Sequence, residues 1–293
     1  MALRIARLEH QHTRWLTDLL ARNPCENVYL ISLLEVTGTA RLGSPAGTLY
    51  GIFDGDRPVA AYWVGGNIIP VAATPATNEV LARKLNADGR VSCSLIGNRS
   101  VILDLQQRLN WGRPRGVRER QPLLAISSDP QVTPDEHVHR VTLDDLGAVF
   151  PASVDMFTKE VGFSPIEDGT AGYLSRVRGI IRGKNCYARI SASLPQGGAV
   201  PRWPAREQDE QVLFKADIGI RARRIVQVQG VWVHPAARNQ GLGAAGMAAV
   251  VQRTRDKGHS TVSLYANDYN ETALRMYARV GFEQVGTFAT VMY

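Results

Sequence analysis

The residues most suited to chemistry lie in Arg238-Asn239-Gln240-Gly241-Leu242-Gly243, between a β-branched run that ends at Val233 and a long helical stretch. Gly241 and Gly243 remove side chains where backbone must approach a ligand closely. A helix opening there presents unsatisfied amides with partial positive charge, which suits a pyrophosphate. An ATP-type loop would end in Gly-Lys-Ser or Gly-Lys-Thr, and here Gly243 is followed by Ala244 and Ala245. Gly241, Gly243 and Gly246 fit the dinucleotide pattern literally, yet the next strand, Thr261 to Asn267, offers only Asp268, too late and inside a helix-start signal.

Farther along stand Asn270, Ala273, Tyr277, Gly281 and Phe282. Asp268 with Glu271 predicts a capping box for a helix over Tyr269 to Arg279, which Gly281 ends. Phe282 to Val285 and Thr287 to Tyr293 read as final strands. Strand, R-x-x-G-x-G, helix, strand, N-x-x-A-x-x-x-Y, then Gly-Phe resembles the GCN5-related N-acetyltransferase (GNAT) superfamily. The longer string around these motifs resembles actinobacterial two-domain GNAT proteins whose N-terminal part is a domain of unknown function.

The resemblance implies acetyl-CoA as co-substrate. Arg238, Asn239, Gln240, Gly241, Leu242 and Gly243 would hold it, joined by Asn270, Ala273 and Tyr277 near the thioester. The strand carrying Val231 and Val233 would splay from its neighbour near Tyr265 and pair by backbone with the pantetheine arm. Trp232 would face the other side, as core or as a wall of the acceptor pocket; Tyr265 and Asn267 would be site walls.

Transfer to an amine requires a neutral nucleophile, a polarised carbonyl and a proton for the departing thiolate. A backbone amide near Val233 can polarise the carbonyl, and Tyr277, a phenol protonated at neutral pH, can supply the proton. Many family members place a carboxylate in the strand before the CoA loop, where this chain has Gln227 and Gln229, which cannot titrate. Asp217 and Glu160 are the available carboxylates for the base, each acting through a water chain. His234, beside Pro235, reads as a strand-to-turn structural residue.

These residues need a scaffold. Apolar positions around Trp15, Leu19, Leu30 and Leu34, interrupted by Asn23-Pro24, predict two helices. A hairpin turning at Asp54-Gly55 and a further strand follow, then a helix (Glu79 to Leu85), a strand (Val91 to Ile96) and a helix (Val101 to Leu109). The polar stretch Asp129 to Asp135 is the linker candidate. Beyond it come helix signals from Leu143 to Val161, broken at Pro151, then three strands: NCYARISAS, QVLFKADIG and RRIVQVQGVWVH. The repeated order predicts a duplicated α/β (α+β mixed) fold: tandem GNAT-like domains, each a mixed, mostly antiparallel sheet flanked by helices. Residues 1–130 would be a degenerate GNAT-like domain without the cofactor motifs, and 131–293 the acyl-CoA-binding catalytic domain. The Pro- and Trp-containing stretch 193–211, around Trp203, reads as a surface excursion or a flap over the cleft.

With 293 residues, 44% of them apolar, the chain reads as ordered and large enough for two cores. Cys25, Cys93 and Cys186 are far apart and form neither a disulfide framework nor a zinc pattern, so no metal is expected. The opening residues lack the apolar run of a secretory signal, and no stretch is long enough to span a membrane, so a cytoplasmic protein without membrane association is expected. The net charge of +7 comes from scattered arginines, densest at Arg113 to Arg120 and Arg221 to Arg224, with no nucleic-acid-binding motif. The expected partner is a small-molecule amine, amino acid or aminated metabolite, with the protein a monomer or homodimer. The alternatives are a protein or peptide acceptor, or an acyl-CoA sensor without turnover.

Overall fold

The computed structural model describes residues 3–42, 47–191 and 210–293. The first half runs β1 (Arg4–Arg7), α1 (Thr13–Leu20), α2 (Val28–Thr37), β2 (Gly47–Asp54), β3 (Arg57–Gly65), β4 (Asn67–Val71), α3 (Pro75–Asp88), β5 (Ser94–Asn98), α4 (Arg99–Arg108) and β6 (Gly116–Ile126). The second runs β7 (His139–Arg140), α5 (Leu146–Val161), α6 (Ala171–Arg182), β8 (Cys186–Ser191), β9 (Gln211–Arg221), β10 (Ile225–Val233), α7 (Leu242–Arg255), β11 (Thr261–Tyr265), α8 (Glu271–Val280) and β12 (Glu283–Met292).

All twelve strands form one sheet in the order β1-β2-β3-β4-β5-β12-β6-β11-β10-β9-β8-β7. From either end inward the order repeats, so the tandem fold foreseen from the element order is present. The centre is exchanged: β12 pairs with both β5 and β6, and β6 pairs with both β12 and β11. Each half thus finishes its sheet with the other half's last strand, and the sheet runs unbroken past residue 130.

Alternation along the strands gives each face its own core. In the second half, α7 and α8 cover Tyr187, Phe214, Ala216 and Val228, while α5 and α6 cover Cys186, Ala188, Val212 and Trp232 on the other face. In the first half, α3 and α4 cover Tyr62, Ile68 and Leu95, and α1 and α2 cover Leu49, Trp63 and Ile69.

Several local expectations change. Pro151 lies inside α5 and does not break it; the carbonyl it leaves unbonded is that of Gly147, an exposed residue with no side chain, which water can reach. The β12 region is one strand with register shifts at Gln284/Gly286 and Phe288/Thr290, not two. Helix α6 and strand β6 had no sequence expectation. The 129–135 stretch is tied down: Gln131 N–H donates to Val280 O at 2.9 Å, Asp135 N–H to Ala245 O at 3.0 Å, and the buried Asp135 carboxylate pairs with Arg189 at 2.8 Å. The stretch 193–211, expected as a surface excursion or a flap, falls almost wholly outside the described residues.

Candidate functional site

Strands β10 and β11 run parallel but pair only over Ile225↔Thr261, Val226↔Val262 and Gln227↔Ser263. Beyond that they separate, although β10 continues to Val233 and β11 to Tyr265. The β10 backbone facing the gap is therefore available to a ligand with amide groups of its own. Val231 and Val233 are half-buried there. Trp232 is core: it is 5% exposed, and its Nε1 donates to Asp155 Oδ2 at 2.8 Å.

Past Val233 the chain turns. The buried His234 accepts the Ala236 N–H at Nδ1, 3.2 Å away, and its own N–H bonds Leu213 O at 2.9 Å. Burial, with the nearby Arg238 charge, holds its pKa below the ordinary histidine value; it is a neutral turn residue, as its neighbour Pro235 suggested. The loop is fixed by Arg238 Nε donating to Val233 O at 3.3 Å and Gln240 Nε2 donating to Ala236 O at 2.9 Å. Asn239 has φ +61°. Gly241, at φ +81°, is the N-cap of α7 and supplies no side-chain acceptor, so the first amides of this helix stay open to an anion at an exposed surface.

The three glycines have separate jobs. Gly241 serves the left-handed backbone, with open space where a Cβ would be; a Cβ on Gly243 would stand 3.2 Å from Val233 Cγ2; one on Gly246 would stand 2.6 Å from the Phe214 ring. Gly246 completes the apparent dinucleotide pattern for a packing reason alone.

Asn270, rather than Asp268, caps α8, accepting the Ala273 N–H at Oδ1, 3.2 Å away. The chain reaches helical geometry only after Asn270, so Asp268 stays outside the helix. Tyr277 is 5% exposed, and its ring meets Phe282 edge-on at 5.7 Å. Burial first, then the Glu160 charge, raises the Tyr277 pKa well above that of a free phenol, and the same two causes raise Tyr265. Tyr265 rests against Phe288 at 5.5 Å.

The two carboxylates are placed very differently. Glu160, at the end of α5, keeps half its side chain exposed and meets Arg118 Nη1 at 3.6 Å. Asp217 is buried and bonded to Lys215 Nζ at 2.7 Å. Gln227 is buried at 7% exposure, and Gln229 lies over Gly219.

Gln121 had no local signal, and Arg118 stood out only as part of the arginine-dense stretch Arg113 to Arg120; the central strand exchange is what brings β6 to the site. Gln121, 2% exposed, donates to Asn267 Oδ1 at 3.0 Å and accepts from Thr290 Oγ1 at 2.6 Å, clamping the β11–α8 loop to β12. Beside it opens a cleft of about 400 Å³ that includes Arg99, Arg118, Arg120, Asn267 and Tyr269; the arginine-rich stretch before Arg120 contributes to this cleft.

The first half repeats the strand separation, since β4 and β5 pair only over Asn67↔Ser94 and Ile68↔Leu95 yet continue to Val71 and Asn98, but it lacks the open helix start. Thr74 accepts the Thr77 N–H at the start of α3, and Pro75 removes another donor. Asn98 caps α4 as Asn270 caps α8, but the residue at the offset of Tyr277 is the buried Leu105. Among the described residues, no group of three or more His, Cys, Asp or Glu is arranged to hold a metal, and no helix is long and apolar enough to cross a membrane.

Residues 200–282 match the model of the acetyltransferase (GNAT) family, and residues 47–149 match DUF4081, a domain of unknown function. The chain carries a GNAT-family domain behind a DUF4081 domain, and that family implies acyl transfer from an acyl-CoA. Its fold is shared by a GNAT-family acetyltransferase from Colwellia psychrerythraea, 11% identical, TM-score 0.54, with 99% of each chain covered. A tandem GNAT protein from the clavulanic acid biosynthesis pathway aligns at 14% identity and TM-score 0.54, covering 99% of this chain and 98% of its own. A GCN5-related N-acetyltransferase from Sphaerobacter thermophilus aligns at 14% identity and TM-score 0.57, covering 99% and 95%. No curated protein matches the sequence.

Proposed function

We propose that the protein is an N-acetyltransferase that moves the acetyl group of acetyl-CoA to a small primary amine by direct attack. The observation that carries this reading is the gap between β10 and β11 continuous with the uncapped start of α7. A pantetheine arm fits the first by backbone pairing, with Val231 and Val233 supplying main-chain groups. A pyrophosphate fits the second, held by the amides of Leu242 and Gly243 and by the turn Arg238 to Gly241.

At the thioester end, a β10 amide donates to the carbonyl oxygen as negative charge develops. Tyr277, kept protonated by burial and by Glu160, donates to the thiolate as the carbon–sulfur bond breaks. The incoming ammonium must lose a proton first. Glu160, solvent-accessible and close enough to bias both tyrosines, takes it through water. The contact from Arg118 to Glu160 joins β6 to the end of α5 and narrows the approach, which supports a small acceptor.

Calorimetric titration tests this. Acetyl-CoA should bind saturably, NAD should not, and Gly241→Asp should abolish acetyl-CoA binding by setting a carboxylate against the pyrophosphate. An unaltered protein that does not bind acetyl-CoA overturns the reading; binding without turnover across a panel of amines would assign a sensor instead.

A further inference from the structure

Lys215 is wholly buried, and Asp217 is 5% exposed. Ions are seldom placed so deep unless paired, because several kcal/mol of hydration are lost for each. This pair sits at the irregularity in β10. The β9–β10 register steps from Gln229↔Asp217 to Trp232↔Lys215, so Gly230 and Val231 together oppose the single residue Ala216, a β-bulge. Gly230 adopts φ +60°, and a Cβ there would stand 2.9 Å from Asp217 Oδ2 and 3.0 Å from Met156 Sδ. Lys215 Nζ donates to Asp217 Oδ2 at 2.7 Å and to Gly230 O at 3.3 Å, with Met156 Sδ at 3.9 Å. Of the three groups around this ammonium, one is its counter-ion, one is the carbonyl of the bulge, and the third is the Met156 sulfur on α5.

The peptide between Gly230 and Val231 is trans, since the described residues contain no cis bond. Its carbonyl and its N–H therefore point opposite ways. With the Gly230 oxygen held toward Lys215 on β9, the Val231 N–H is turned away from β9. A cation on the carbonyl also polarises the amide and strengthens its N–H as a donor. Burial alone would favour neutral Lys215, but the Asp217 carboxylate beside it keeps it charged.

We propose that Lys215 and Asp217 are positioning residues that aim and polarise the Val231 N–H as the donor to the thioester carbonyl. This rests on the acetyl-CoA reading above. It gives Asp217 the part of counter-ion and leaves proton removal to Glu160.

The test compares acetyl-CoA with S-ethyl-CoA, a thioether of similar shape without the carbonyl, in the full-length protein. Lys215→Met should weaken acetyl-CoA by about tenfold, a share of the worth of one charge-assisted hydrogen bond, and leave S-ethyl-CoA unchanged. The carbonyl stretch of bound carbon-13-labelled acetyl-CoA should lie to low frequency in the unaltered protein and move back toward the free value in the variant. Because Lys215→Met strands a buried carboxylate, the double variant Lys215→Met/Asp217→Leu removes both charges and guards against simple unfolding; it should show the same selective loss. An unchanged carbonyl frequency in a folded variant, or equal losses for both ligands, overturns the proposal. Failure of the unaltered protein to bind either ligand would instead remove the acetyl-CoA reading on which it rests.

Discussion

Gly246→Ala adds a single uncharged methyl group in the second turn of α7. Its Cβ would stand 2.6 Å from Cγ and Cδ1 of Phe214 and 2.7 Å from Cδ2, about 1 Å inside the ordinary carbon–carbon contact of roughly 3.5–4.0 Å. These atoms belong to the inner edge of a fully buried ring that cannot swing clear, so α7 and β9 must part. Overpacking of this kind costs about 3 kcal/mol at the upper end of its range. Replacing glycine by alanine in a helix returns about 1 kcal/mol. The net loss of about 2 kcal/mol should lower the melting temperature by roughly 4–8 °C in a protein of this size. Gly241→Ala meets open space and should lose only the roughly 1 kcal/mol of its left-handed backbone, while weakening acetyl-CoA more than Gly246→Ala does per degree of melting lost. Calorimetric melting with acetyl-CoA titration reads both. A Gly246→Ala protein that melts with the unaltered one would refute the close packing of α7 on Phe214.

Tyr277→Phe keeps the ring contact with Phe282 and should lower turnover on any accepted amine by about a hundredfold, with melting temperature and acetyl-CoA affinity nearly unchanged; unchanged turnover would remove Tyr277 as the acid. Asn270→Ala deletes the α8 cap and should cost about 1 kcal/mol, read by chemical denaturation. His234 and His259 are held below the ordinary histidine pKa, by burial first and then by nearby arginines. The unfolded chain therefore binds the extra protons, and their contribution is full above about pH 6.5 and lost as pH falls below it. Melting curves between pH 7.5 and 5.5 should fall more steeply for the unaltered protein than for a His234→Gln/His259→Gln variant; parallel slopes would contradict this.

Local order is what the sequence determined. The glycine loop from Arg238 to Gly243, the cap at Gly281 and the hairpin turn at Asp54-Gly55 are each set by backbone preferences of a few adjacent residues, and all are legible in the chain. The repeated order of helices and strands foretold the tandem fold for the same reason. What tertiary structure alone decided concerns residues distant in sequence. The exchange of β6 and β12 sets Arg99, Arg118 and Gln121 of the first half beside Asn267 and Tyr265 of the second, and no local pattern encodes a strand's neighbour across more than a hundred residues. Packing likewise made Trp232 core through Asp155, gave Gly246 to Phe214, and buried Lys215 with Asp217 beneath a bulge. Periodicity marks which positions lie on a face, but the depth of a face and the groups that meet there follow only when the whole sheet has closed.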